Sequence, residues 1–216
     1  MKIAIPELGA PHWNYYYALC RLGTEPVTVS EPSDFSDFSG LLLPGGPDIN
    51  PSRYHEEING SENICDELDE LQFAVLDSFV RAGKPVFGIC RGHQLISVYF
   101  GLHLIQDLPS RNIHAKTPGT AVDKRHLTHS VPGSFIHELY GNEFLTNSSH
   151  HQAAKEDGNG LKIAAVSEDG IIEAQYHKSL PVFSVQWHPE RMCFNFASPA
   201  LSDGRLVLEW FLSLCK

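Results

Sequence analysis

Short apolar runs alternate with segments of helical periodicity through the first hundred residues. "KIAI" (2–5) has the character of a buried strand, and "NYYYALCRLG" (14–23) that of a helix closed by Gly23. "PVTV" (26–29) is a second strand and "GLLLPGG" (40–46) a third, ending in a Pro-Gly-Gly turn. From Asp66 onward, Leu68, Leu71, Val75, Leu76, Phe79 and Val80 recur at helical spacing until Gly83 and Pro85 end the element. "PVFGI" (85–89) is the fourth strand, and the helix after Cys90 runs to Gly101. Residues 107–143 lose this regularity and suggest loops and short strands. Strand character returns in "LKIAAVS" (161–167), "IIEAQYH" (171–177) and "PVFSVQW" (181–187), with "EDG" making the first two a hairpin. A last helix carries Leu206, Val207, Trp210, Phe211 and Leu214 as its packing stripe.

Strand–helix alternation predicts an α/β fold, a mostly parallel twisted sheet with helices on both faces and a small antiparallel portion. Ligands on such sheets bind at the carboxyl ends of the strands. Cys90 and the Gly45-Gly46 turn both fall there. No long polar or Gly/Ser-rich linker interrupts the 216 residues, which reads as one domain over 1–216.

Composition narrows the partners. A formal charge of −10 argues against nucleic acid and anionic membranes, which need clustered Lys and Arg. No apolar run reaches the length of a membrane span. Pro6, Glu7 and Gly9 break the N-terminal apolar run, so it is a first strand rather than a signal peptide. Five dispersed cysteines without a CxxC pair fit neither a disulfide framework nor a zinc knuckle, and point to a reducing cytoplasm. A small molecule is left as the partner, and self-association is open.

Cys90 stands where a buried strand gives way to a helix. Gly88 and Gly92 flank it, as a sharp elbow with close backbone approach requires. Unpaired amides at the helix start favour the thiolate, and the Arg91 N–H is placed to hold an oxyanion. A free cysteine is otherwise commonly a buried hydrophobe, the reading that suits Cys20, Cys65, Cys193 and Cys215. "VQWHPE" supplies a base and its orienting group: His188 and Glu190 lie two apart at a strand end, with Pro189 fixing the backbone. In "LLLPGG", Gly46, with Gly45 beside it, offers amides to a developing negative charge, although an ordinary tight turn has the same sequence. Gln94, one helical turn after Cys90, is placed to face the same pocket or to sit partly exposed. Among twelve histidines, "HLTH" (126–129) and "HH" (150–151) have no carboxylate or cysteine at a supporting spacing, so neither a metal nor a cofactor is expected.

"PGG", "GICRGHQ" and "QWHPE", in that order, resemble the glutaminase domain of the class I glutamine amidotransferases. "GLLLPGGPDINPSRYHE", "NSSHHQAAK" and "DGIIEA" are similar to its gamma-glutamyl hydrolase-like branch, which includes gamma-glutamyl-gamma-aminobutyrate hydrolases. The resemblance implies a catalytic triad of Cys90, His188 and Glu190, and an oxyanion hole from the Gly46 and Arg91 amides. It also implies that Gln94, Ser149, His150 and His151 lie against the glutamyl part of a small gamma-glutamyl substrate. The expected activity is hydrolysis of gamma-glutamyl amides through a thioester, without a cofactor. Two alternatives are a glutaminase subunit feeding ammonia to a separate synthase, and a binding protein that keeps the fold without turnover. Leu68 and Gln72 stand where an Arg and a Glu are usual, and Ser97 where an Asn is common, which weakens transfer of the exact substrate. The stretch 47–66, with Asp48, Arg53 and Tyr54, reads either as a cover for a larger substrate or as a solvated loop.

Overall fold

A computed structural model describes residues 1–117, 119–120 and 122–215. Positions 118 and 121 of the irregular region, and 216, lie outside the described residues. The strands are β1 (Lys2–Pro6), β2 (Glu25–Val29), β3 (Gly40–Leu43), β4 (Val86–Ile89), β5 (Leu104–Ile105), β6 (Lys124–Ser130), β7 (Glu143–Ser148), β8 (Ala153–Ala154), β9 (Leu161–Ser167), β10 (Ile172–His177) and β11 (Val182–Val185). The helices are α1 (Trp13–Arg21), α2 (Asp66–Arg81), α3 (Arg91–Tyr99), α4 (Arg111–His114), α5 (Phe135–Tyr140) and α6 (Arg205–Leu214).

Nine strands form one sheet in the order β2-β1-β3-β4-β11-β10-β9-β6-β7. The pairings from β2 through β11 are parallel. From β11 onward the sheet continues antiparallel. The antiparallel part is therefore a four-strand extension, and β9–β10 is the expected hairpin.

Alternation along the parallel strands builds two apolar layers. Ile3, Ile5, Leu42, Phe87 and Ile89 face one side, where they cluster with Tyr15 and Leu19 of α1 and Val207 and Phe211 of α6. Ala4, Leu41, Leu43 and Val86 face the other, with Val75, Leu76 and Phe79 of α2 and Leu95 and Ile96 of α3. This period of two, buried on both faces, is why these strands read as continuous apolar runs.

Two expectations need correction. The irregular region holds the seven-residue strand β6 and the helices α4 and α5. Its polar sequence, "KRHLTHS", hides a strand that buries His126 and Thr128 rather than aliphatic side chains. The packing stripe of α6 is Val207, Leu208, Phe211 and Leu212, whereas Leu206 and Leu214 are exposed.

The stretch 47–66 is tied into the fold rather than being a loose solvated loop. Tyr54 is 3% exposed and packs in the second apolar layer. Arg53 lies over the Phe73 ring and beside Glu70. The Gln106 side chain accepts from the Asn59 amide at 2.7 Å and donates to the Glu57 carbonyl at 2.9 Å, tying the stretch down.

Candidate active site

Three neighbouring parallel strands, β3, β4 and β11, end at one edge of the sheet. The Pro-Gly-Gly turn follows β3, Cys90 follows β4, and His188 lies three residues beyond β11. Register pairs Leu43 with Gly88 and Ile89 with Val185, which brings these three segments to the same level.

Cys90 has φ 53° and ψ −105°, a backbone conformation that L-residues rarely adopt. Its amide donates to the Val185 carbonyl at 2.9 Å, and its own carbonyl accepts from His93 and Gln94 in the first turn of α3. Two hydrogen-bonding demands thus hold the elbow in place, and the side chain projects out of the sheet at 8% exposure. The flanking glycines are steric necessities. A Cβ at Gly88 would lie 2.5 Å from the Gly92 carbonyl oxygen, and one at Gly92 would collide with the Leu43 carbonyl.

His188 caps the short 3-10 turn Pro189–Arg191, so that turn, rather than strand alternation, brings Glu190 back to it. Nδ1 of His188 is 2.9 Å from Glu190 Oε1. His188 and Cys90 meet over the Gly45 turn: a Cβ at Gly45 would lie 3.0 Å from His188 Cε1 and 3.5 Å from Cys90 Cβ. Burial disfavours the imidazolium, but the Glu190 carboxylate and the Cys90 sulfur outweigh it together, and His188 is held up at about 9.

Four further residues support this group, and sequence reasoning passed over all of them. Asn14 donates to Glu190 Oε1 at 2.9 Å, and Arg191 Nε approaches the same oxygen at 3.3 Å. Asn147 clamps the His188 backbone from both sides, accepting from its N–H at 2.9 Å and donating to its carbonyl at 3.0 Å. The Tyr15 hydroxyl accepts from the Gly45 amide at 2.9 Å and lies 3.4 Å from His188 Nδ1. Asn14 and Tyr15 sit in "NYYYAL", whose only sequence signal is helical, while Asn147 opens the already noted "NSSHHQ".

Gly45 is therefore not a free oxyanion donor. Among the described residues, the amides of Gly46 and Arg91 donate to no protein group. They are also neighbours: a Cβ at Gly46 would lie 3.0 Å from Arg91 Cδ. The Arg91 side chain turns away from the thiol and pairs, fully buried, with Asp69 and Gln72 of α2. Gln72, at a position where a Glu is usual, is thus a neutral second partner.

The residues expected against a glutamyl group separate. Gln94 is buried, not partly exposed, and its Nε2 donates to the Gln152 carbonyl at 3.1 Å and to Gln186 Oε1 at 3.2 Å. Ser149 is half-buried. His151 bridges two loops, with Nε2 3.0 Å from Asp48 and Nδ1 3.1 Å from Asp107. Donation to the Asp48 carboxylate raises its pKa against the opposing effect of burial. His150 turns inward.

There it meets His114, His126 and Glu173, all four buried, with one ligand-type atom from each lying within 4.8 Å of the others. The carboxylate missing from the local sequence comes from β10, and a third histidine from α4. Burial pushes His150 down to about 4 and Glu173 up to about 7. His129 stays outside the group, 3.8 Å from Glu143.

Known proteins agree with this architecture. The peptidase C26 family model matches residues 29–190. A glutamine amidotransferase-like protein of Lactococcus lactis is 37% identical over 153 residues, covering 69% of this chain and 65% of that protein. The match thus spans just under two thirds of that relative's length. A gamma-glutamyl-gamma-aminobutyrate hydrolase of Escherichia coli O157:H7 is 32% identical over 222 residues, covering 94% of this chain and 85% of the relative. In fold, the chain is similar to a GMP synthase subunit of Thermoplasma acidophilum, with a TM-score of 0.70 at 21% identity over 100% of this chain and 94% of the other. Sequence places the chain among the class I glutamine amidotransferase-like proteins, and the fold agrees. The chain belongs to the peptidase C26 family.

Proposed function

We propose that the chain hydrolyses gamma-glutamyl amide bonds through a thioester on Cys90. One observation carries this reading: a cysteine held at φ 53° at the strand end shares the space over Gly45 with His188, whose Nδ1 lies 2.9 Å from Glu190. A gamma-glutamyl hydrolase similar over 94% of the chain supports the substrate class.

The thiolate attacks the gamma-carbonyl, and the Gly46 and Arg91 amides receive the oxyanion. His188 gives its proton to the departing amine as the C–N bond breaks, leaving the S–C bond of the thioester. Water then attacks that carbonyl, His188 takes its proton, and the S–C bond breaks to release glutamate and the thiolate. Glu190 keeps His188 in the tautomer and charge state that both half-reactions need.

The test compares kcat/KM for gamma-glutamyl amides of substantial amines with that for glutamine, on the protein alone. Preference for the larger leaving group supports the proposal. Inactivity alone, with strong glutaminase activity once a synthase is added, would make it an ammonia-donating subunit. No turnover under either condition would favour a binding role.

A further inference from the structure

The inward-facing nitrogens of three buried histidines converge on one carboxylate. His126 Nε2 lies 3.4 Å, His150 Nε2 3.6 Å and His114 Nδ1 3.8 Å from Glu173 Oε1. These three separations approach the roughly 3.3–3.5 Å edge of a tetrahedron whose bonds to a central ion are about 2.0–2.1 Å, and the remaining edges lie within 4.8 Å, so the rings would close in on an ion. All four side chains are 0–2% exposed.

The outer nitrogen of each ring has its own partner. His150 Nδ1 is 2.9 Å from the Gln152 carbonyl, which can only accept, so that nitrogen carries the proton. His126 Nδ1 faces the Leu127 carbonyl at 3.3 Å. His114 Nε2 lies 3.1 Å from both oxygens of Asp169, a carboxylate–histidine arrangement of the kind that orients metal ligands. His126 and His150 are therefore set, in their neutral form, to point a lone pair at the centre, while His114 Nδ1 lies 3.4 Å from Ser148 Oγ as well as facing Glu173. His126 Nε2, His150 Nε2 and both Glu173 oxygens have no hydrogen-bond partner among the described residues. Buried polar atoms are normally satisfied, and four unsatisfied acceptors facing one another repel unless a proton or a metal cation lies between them.

We propose that His114, His126, His150 and Glu173 form a closed tetrahedral site for a first-row divalent cation, with zinc the best match. Three imidazoles and one carboxylate are borderline ligands of the type zinc takes, and all four positions are filled by protein, as in structural rather than catalytic sites. Charge balances as well: the Glu173 and Asp169 carboxylates together offset a dication. The ion would join α4, β6, β10 and the segment after β7, and so fix the antiparallel extension against the loop whose Gln152 carbonyl receives Gln94. This inference is independent of the proposed hydrolysis.

The test begins with the metal content of the untagged full-length chain, expressed in zinc-supplemented medium and purified without chelators. The expected result is about one zinc ion per chain. Chelator-stripped protein is then titrated with zinc against a chromophoric competitor, and with cobalt to read coordination from its visible spectrum. Tetrahedral cobalt bands are expected. Asp169→Asn should weaken zinc binding by about 10- to 100-fold. Glu173→Gln should weaken it further, while His129→Ala leaves it unchanged. Wild-type protein that neither retains zinc nor competes for it after stripping would overturn the proposal and leave the cluster as a shared-proton network. So would zinc binding that survives Glu173→Gln undiminished, or an octahedral cobalt spectrum. If the variants fail to fold, the wild-type measurements decide alone.

Discussion

The Tyr15 hydroxyl accepts the Gly45 amide at 2.9 Å, so a helix on one face of the sheet holds the turn that ends β3. Gly45 leaves no room for a side chain there, since a Cβ would sit 2.9 Å from that hydroxyl and 3.0 Å from His188 Cε1. Tyr15→Phe should therefore loosen the turn without removing any group that touches substrate. The expected effect is a fall of about tenfold in kcat with KM nearly unchanged, less than the roughly 100-fold or greater loss for a missing oxyanion donor. A larger KM effect than kcat effect would place Tyr15 in substrate binding instead.

His188 and Glu190 have unequal duties, and their variants should differ. His188→Ala is expected to lower kcat by about 10⁴-fold, and Glu190→Gln by about 100-fold, because only His188 moves protons. Steady-state kinetics on folded variants checks the order. Near-native kcat in His188→Ala would send the search for the base elsewhere.

The pH profile follows from the same pair. His188 is held at about 9 in the folded chain against 6.5 for an ordinary imidazole. The charged form should persist through neutral pH, so kcat/KM should fall on an alkaline limb near 9. Its contribution to stability is complete below 6.5 and is lost as pH rises through about 9. Glu190→Gln should move that limb to lower pH, and an unmoved limb would assign it to another group.

Cys90 is expected to be the residue modified by electrophilic glutamine analogues, read by peptide mapping; labelling of Cys20, Cys65, Cys193 or Cys215 in its place counts against the assignment. Its strained backbone makes a second expectation. Cys90→Gly should be more stable than Cys90→Ala by about 1 kcal/mol in urea denaturation, because glycine adopts positive φ at little cost and strain there amounts to about 1–3 kcal/mol.

Arg91 carries a buried charge whose only ionic partner among the described residues is Asp69. Asp69→Asn leaves that charge uncompensated and should cost about 3–5 kcal/mol in denaturant unfolding. A loss below 1 kcal/mol would mean that Gln72 alone suffices.

The parallel half of the fold was legible because β1, β3 and β4 are buried on both faces and read as apolar runs. Cys90, His188 and Glu190 were legible because each ends a strand or follows one closely. The antiparallel extension was harder. Strand β6 buries polar side chains, so periodicity carries little signal, and its histidines acquire meaning only beside Glu173 on β10 and His114 on α4. Gln94 and His151 were assigned to substrate by resemblance, but their partners are Gln152, Gln186, Asp48 and Asp107, set by loops that no local pattern fixes. Tyr15 escaped notice because a tyrosine on an amphipathic helix has no signature beyond its hydrophobicity.

Strand β11 lies beside β4 in the middle of the sheet, yet it comes last in sequence among the described strands. Cys90 leaves the ribosome well before His188, and at translation rates of about 5–20 residues per second the gap between them amounts to roughly 5–20 s. Throughout that interval the thiol has neither its base nor the strand whose Val185 carbonyl receives its amide. The nascent polypeptide therefore cannot form the Cys90–His188 pair before β11 docks, and assembly of the site coincides with closure of the sheet.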